Sequence, residues 1–144
     1  ARFAFVNYGT NDMEAGATYA SALPGFFENL ETVLDELASR GIVPIVTNLN
    51  PRGDDPEAAR WAPLYATVTL AMAERRQLPF VNLFVASSKL PDQGLGPDGL
   101  HGNALQVAGK DQPCVFDAAG LSFNYNVRNL RPRADEAPAL DVKA

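Results

Sequence analysis

The chain switches several times between extended and helical hydrophobic periods. Phe3-Ala4-Phe5-Val6-Asn7-Tyr8 predicts a first strand, ended by Gly9-Thr10-Asn11-Asp12. Met13–Pro24 is mixed and rich in small residues, and reads as a loop with a short helical piece. From Gly25, Phe26, Phe27, Leu30, Val33, Leu34 and Leu37 recur at helical spacing, with Glu28, Glu31, Asp35 and Glu36 opposite. Arg40 and Gly41 are helix-stop signals. Ile42–Thr47 is apolar on both faces, as a central parallel strand is, with Pro44 near its start. Asp55 and Pro56 fit the N-cap and first position of a second helix. Its expected apolar stripe is Trp61, Leu64, Tyr65, Val68 and Met72, carrying the helix to about Arg76. Leu78–Ala86 predicts a third strand.

Strand, helix, strand, helix, strand predicts an α/β fold with a parallel sheet, because each crossover is long enough for a βαβ unit. Ser87–Leu105 is a glycine-rich loop, and 106–118 reads as irregular. A C-terminal helix is expected from near Gly120, stopped by Pro132, with 132–144 as a loose tail. Three strands make a thin sheet, and the first is apolar on both faces, unlike a protected edge. Whether cleaved, omitted or lost, further strands are expected ahead of residue 1.

Composition narrows the function. The 144 residues are 47% hydrophobic and 20% charged, an ordinary globular balance. A net charge of −5 with no basic cluster argues against nucleic acid. The single cysteine excludes an internal disulfide, and one cysteine with one histidine excludes a structural zinc site. No apolar run nears the roughly 18 residues of a membrane span. Neither metal nor cofactor is expected. Asp54-Asp55 is better read as a helix start than a cation site, and Asp92 to Asp98 lacks a calcium loop's regular ligands.

Ligands of open α/β sheets bind beyond the carboxyl ends of the strands. Gly9–Asp12, Asn48-Leu49-Asn50 and the loop after Ala86 are expected there. That loop holds Asp98-Gly99-Leu100-His101, with the only histidine. In a glycine-flanked turn the Asp98 carboxylate can take a hydrogen bond from one ring nitrogen, leaving the other as a base. The same residues also fit a surface histidine on a flexible loop. Asn11 can aim an amide N–H at a developing oxyanion, or serve as turn chemistry. Asp12 reads as a structural cap.

Gly9-Thr10-Asn11-Asp12 after a strand, then Asp98-Gly99-Leu100-His101, resembles the SGNH/GDSL hydrolase superfamily, with its Gly-x-Asn-Asp and Asp-x-x-His motifs. Gly120-Leu121 and Asn126–Leu130 look like the closing segment of some members. The resemblance implies a three-layer α/β/α sandwich, flavodoxin-like, of which residues 1–131 are the C-terminal part of one domain. It implies a serine ester hydrolase with His101 as base, Asp98 as its orienting acid and Asn11 in the oxyanion hole. Secretion or a periplasmic place is the commoner habit of such proteins.

The Gly-Asp-Ser nucleophile motif is missing. Ser39 falls in a helix end. Ser87 and Ser88 follow the third strand without a tight glycine turn, and Ser21 and Ser122 have no motif either. Cys114 reads as a buried, inert thiol. The nucleophile is therefore expected on a preceding segment of the same domain. The rival expectation is a non-catalytic carbohydrate- or acyl-binding relative that has lost it.

Overall fold

Val43–Thr47 forms β2, the middle of a three-stranded parallel sheet in the computed structural model, which describes residues 2–135. It lies between β1 (Phe3–Asn7) and β3 (Phe80–Val81). The β1–β2 register sets Phe5 beside Ile45 and Val6 beside Val46. Laterally paired residues share a face, and successive residues alternate. Val6 and Val46 therefore face one layer, α1 (Tyr19–Ser39) and α2 (Pro56–Arg75), which fills the main core with Phe26, Leu30, Leu34, Tyr65 and Met72. The Phe26 and Tyr65 rings lie 5.1 Å apart between the two helices.

Across the sheet, α4 (Asn124–Asp135) packs on β3 and on α3 (Leu83–Ser88). This layer leaves the start of β1 uncovered. Phe3, Phe5 and Val43 on that face are 59%, 56% and 41% exposed. β1 is thus an edge strand of the described sheet with an uncovered apolar face, the feature that set its sequence apart from a protected edge.

Four local expectations are corrected. α1 starts at Tyr19, well before Gly25, because Thr18 and Ser21 form a capping box at its N-terminus. Pro24 lies inside that helix. The third strand is only Phe80–Val81, since Asn82 Oδ1 takes the Val85 N–H and starts α3 instead. Residues 106–118 contain a small hairpin, β4 (Gln106–Val107) with β5 (Lys110–Asp111). Ala108 and Gly109 turn it, both at positive φ. Finally, α4 runs past Pro132 to Asp135. The rest of the expected tail, 136–144, lies outside the described residues.

The α2 stripe is shifted as well. Tyr65 and Met72 are buried as expected, but Leu64 is exposed, and Ala58, Ala62, Ala66 and Ala73 complete the inner face. Small side chains there let α2 approach α1 and the sheet closely. Asp55 caps α2 by accepting from the Glu57 N–H at 2.9 Å, with Pro56 beginning the helix. No helix among the described residues is long and apolar enough to cross a membrane.

Candidate functional site

The carboxyl ends of β1 and β2 open on a cleft of about 320 Å³. Gly9 has φ +121°, a conformation that lets the chain leave β1 sharply and that L side chains disfavour. Its N–H donates to Asp12 Oδ2 at 3.1 Å, and its carbonyl accepts from Met13 N at 3.0 Å. Asp12 therefore ties the turn to itself. Asn11 begins the 3₁₀ turn Asp12–Glu14, is exposed, and makes no side-chain capping bond. Asn11 borders the cleft.

His101 borders the same cleft. Its Nδ1 lies 2.7 Å from Asp98 Oδ2, while Asp98 Oδ1 accepts from the backbone N–H groups of Leu100 and His101, each at 3.0 Å. An ionised carboxylate only accepts, so Nδ1 carries the proton and Nε2 is the basic nitrogen. The His101 bond, followed by the two backbone N–H groups, holds the Asp98 carboxyl down at about 2. Gly96 N donates to the His101 carbonyl at 2.7 Å, closing the turn. Gly99, at φ +66°, approaches the β2 loop so closely that a Cβ there would lie 2.7 Å from Asp54 N. Gly53 N donates to the Gly99 carbonyl at 2.8 Å. The histidine turn is thus docked on the loop after β2.

Arg52 organises that loop, a role that sequence reasoning missed. It is only 3% exposed. Its Nε and Nη2 donate to Asp54 at 2.7 and 2.6 Å, Nη2 also reaches Glu14 at 2.8 Å, and Nη1 donates to the Thr10 carbonyl at 3.2 Å. These bonds, Asp54 foremost, push the guanidinium up and Asp54 down despite burial. One side chain therefore joins the Asn11 turn to the loop on which the His101 turn rests. An Arg with an Asp two residues on in a loop was the available signal. Nearby, the Asp55 carboxylate accepts from Tyr19 Oη, pushing that hydroxyl up to about 12.

A second network runs through Asn124, which is buried. Its Nδ2 donates to Ser87 Oγ at 2.6 Å and to Asn50 Oδ1 at 3.0 Å, and its N–H donates to Asn103 Oδ1 at 2.8 Å. Ser87 is fully buried in this network. Ser21, Ser39, Ser88 and Ser122 each donate to a backbone carbonyl three or four residues earlier. None of these five serines borders the cleft. Cys114 is exposed, which corrects the expectation of a buried thiol, and it too lies away from the cleft. The hairpin turns the chain just before it, leaving it on an irregular surface segment.

The sequence model of the GDSL-like Lipase/Acylhydrolase family matches residues 1–106. Among curated proteins, no sequence matches the chain. Among solved structures, the chain is similar to a GDSL-like lipase from Bacteroides thetaiotaomicron VPI-5482, with a TM-score of 0.68 at 19% identity. The likeness covers 94% of this chain and 62% of that one, so the chain spans under two thirds of the length of this relative.

Proposed function

This chain belongs to the GDSL-like lipase/acylhydrolase family, and we propose that it is part of an SGNH-type serine ester hydrolase, to which it supplies the catalytic histidine, its aspartate and the oxyanion-hole asparagine. One observation carries the reading. His101 Nδ1 meets Asp98 Oδ2 at 2.7 Å on a cleft that Asn11 also borders, beyond the ends of the parallel strands. The uncovered face of β1, with Phe3 and Phe5 exposed, supports a further segment of the same domain packing there and carrying the serine.

The chemistry then runs in two halves. His101 Nε2 takes the serine proton as the serine oxygen bonds to the ester carbonyl carbon. The carbonyl oxygen becomes an oxyanion, to which Asn11 donates an amide N–H. Asp98, held ionised, keeps His101 in the required tautomer and stabilises the imidazolium. The carbon–oxygen bond to the alcohol breaks, and His101 returns the proton to the departing alkoxide. Water then attacks the acyl-enzyme with His101 again as base, releasing the acid and the serine.

The rival is a binding protein without a nucleophile, and the lack of a serine among the described residues lining the cleft is what favours it. A fluorophosphonate probe on the full gene product separates the two. The hydrolase reading expects a single serine adduct outside residues 1–144, formed slowly or not at all in His101→Ala, with p-nitrophenyl acetate hydrolysis lost in parallel. A folded protein that takes no label and hydrolyses no ester is the binding relative.

A further inference from the structure

Tyr125 and Arg128 stand one turn apart on α4 and so share a face of it. That face borders the cleft of His101 and Asn11. The Arg128 guanidinium carbon lies 5.9 Å from the centroid of the Tyr125 ring. Stacking on an aromatic face orients a guanidinium while leaving its edge N–H donors available. Among the described residues no carboxylate forms an ion pair with Arg128. Among the described residues lining the cleft Asp12 carries the one carboxylate, and its Oδ2 accepts from the Gly9 N–H.

Asn50 adds a second donor by a separate route. Its Oδ1 is occupied by Asn124 Nδ2, and Asn124 is itself locked by Ser87. That network fixes which end of the Asn50 amide is which. The NH₂ end has no bond to another described residue, and Asn50 borders the cleft. The cleft of the reacting groups therefore also offers donors, from a planar guanidinium fork and an oriented amide, to an acceptor-rich ligand. Among the described residues lining the cleft, Leu100 carries the only aliphatic side chain, and these residues offer little to a long acyl chain.

We propose that Arg128 and Asn50 form a carboxylate subsite, so that the cleft takes esters bearing a free carboxylate near the scissile bond. The guanidinium binds the carboxylate through its two edge N–H groups, and Asn50 donates to the same carboxylate or an adjacent hydroxyl. The inference rests on the hydrolase reading for its substrate, but the subsite itself is an equilibrium binding site.

The test uses the full-length protein with two arms. In the first, kcat/KM is compared for O-acetyl glucuronate and O-acetyl glucose at low salt. The acidic ester is expected to be preferred by about tenfold or more, a ratio that falls towards one in Arg128→Gln. Arg128→Lys, which keeps charge without the fork, is expected to retain part of the preference. In the second arm, glucuronate binding is followed by calorimetry and is expected to weaken at least tenfold in Arg128→Gln and in Asn50→Asp. Acetyl ester hydrolysis with no acidic preference, or with one indifferent to Arg128, overturns the subsite and leaves the hydrolase standing. Arg128-dependent glucuronate binding without hydrolysis of either ester keeps the subsite and overturns the hydrolase.

Discussion

Ser87 Oγ lies 2.6 Å from Asn124 Nδ2, with both residues buried. The serine stands beyond β3, at the end of the sheet where a nucleophile would be useful, yet its hydroxyl is spent on holding Asn124. Ser87→Ala removes one of the two acceptors of the Asn124 amide. The expected cost is about 1–2 kcal/mol, read as a lower urea midpoint with an unchanged m value. Ester hydrolysis by the full-length enzyme is expected to stay within an order of magnitude of wild type. Complete loss of turnover in a well-folded Ser87→Ala enzyme would make Ser87 the nucleophile and remove the need for another segment.

The central strand was legible because Ile42–Thr47 is apolar on both faces, and only a strand with neighbours on each side can bury that pattern. The Asp98–His101 pair was legible because both partners sit in one short turn. What escaped depends on distant partners. Leu83–Ser88 is helical partly because Asn48 Oδ1 accepts from Phe84 N at 2.8 Å, and no local pattern announces that bond. A short apolar run fits strand and helix equally well, so tertiary structure decides. The start of α1 was hidden by Pro24, which reads as a terminator, and by a capping box that uses Ser in place of Glu. Arg52, Asn50 and Asn124 gain their meaning only when loops far apart in sequence meet.

Asn11 is the cleanest test of the oxyanion role, since its side chain caps nothing. Asn11→Ala in the full-length enzyme is expected to lower kcat roughly a hundredfold with KM little changed. The melting temperature is expected to stay near wild type. A collapsed melting temperature with the same specific activity in the folded fraction would make Asn11 a turn residue.

Arg52 is expected to act on stability first. Arg52→Met leaves Asp54 and Glu14 without their partner and the Thr10 carbonyl without a donor. Both carboxylates retain some solvent, so the expected cost is about 2 kcal/mol at neutral pH rather than the larger figure for a fully buried pair. The guanidinium holds Asp54 below its ordinary value of 3.8. A carboxyl depressed in the folded state contributes fully at pH above that value, and the contribution shrinks below it and is lost as pH falls through the lower folded value. The stability gap between wild type and Arg52→Met is therefore expected to narrow on acidification below about pH 4. Urea titrations at pH 7 and pH 3.5 check this, and a gap independent of pH would detach Arg52 from Asp54.

The uncovered sheet face makes a prediction about association. With Phe3 and Phe5 more than half exposed, residues 1–144 alone are expected to self-associate. Light scattering behind size exclusion is expected to show species larger than 15.5 kDa, shifting towards monomer in a Phe3→Ser, Phe5→Ser double variant. A monomeric wild-type chain with one cooperative unfolding transition would mean that this face needs no cover.

The dyad is tested through pH. With the Asp98 carboxyl at about 2, it is ionised throughout the range in which an esterase is assayed. An acid limb in kcat/KM therefore belongs to the base and not to Asp98. A base must be neutral to accept the serine proton, so the rate is expected to fall on the acid side as that base becomes protonated. Asp98→Asn keeps the shape but offers an amide that can hold the wrong tautomer, and a loss of about a hundredfold or more is expected. His101→Ala is expected to remove nearly all remaining activity. The double variant is expected to be no worse than His101→Ala alone, because both side chains serve one proton transfer. Asp98 also binds the N–H groups of Leu100 and His101, so structural damage to the turn has to be separated from lost charge. Asp98→Asn that retains the wild-type melting temperature but loses rate places the effect on the proton transfer. Near-native hydrolysis by His101→Ala would instead leave the 2.7 Å contact between the two side chains as a brace for the loop.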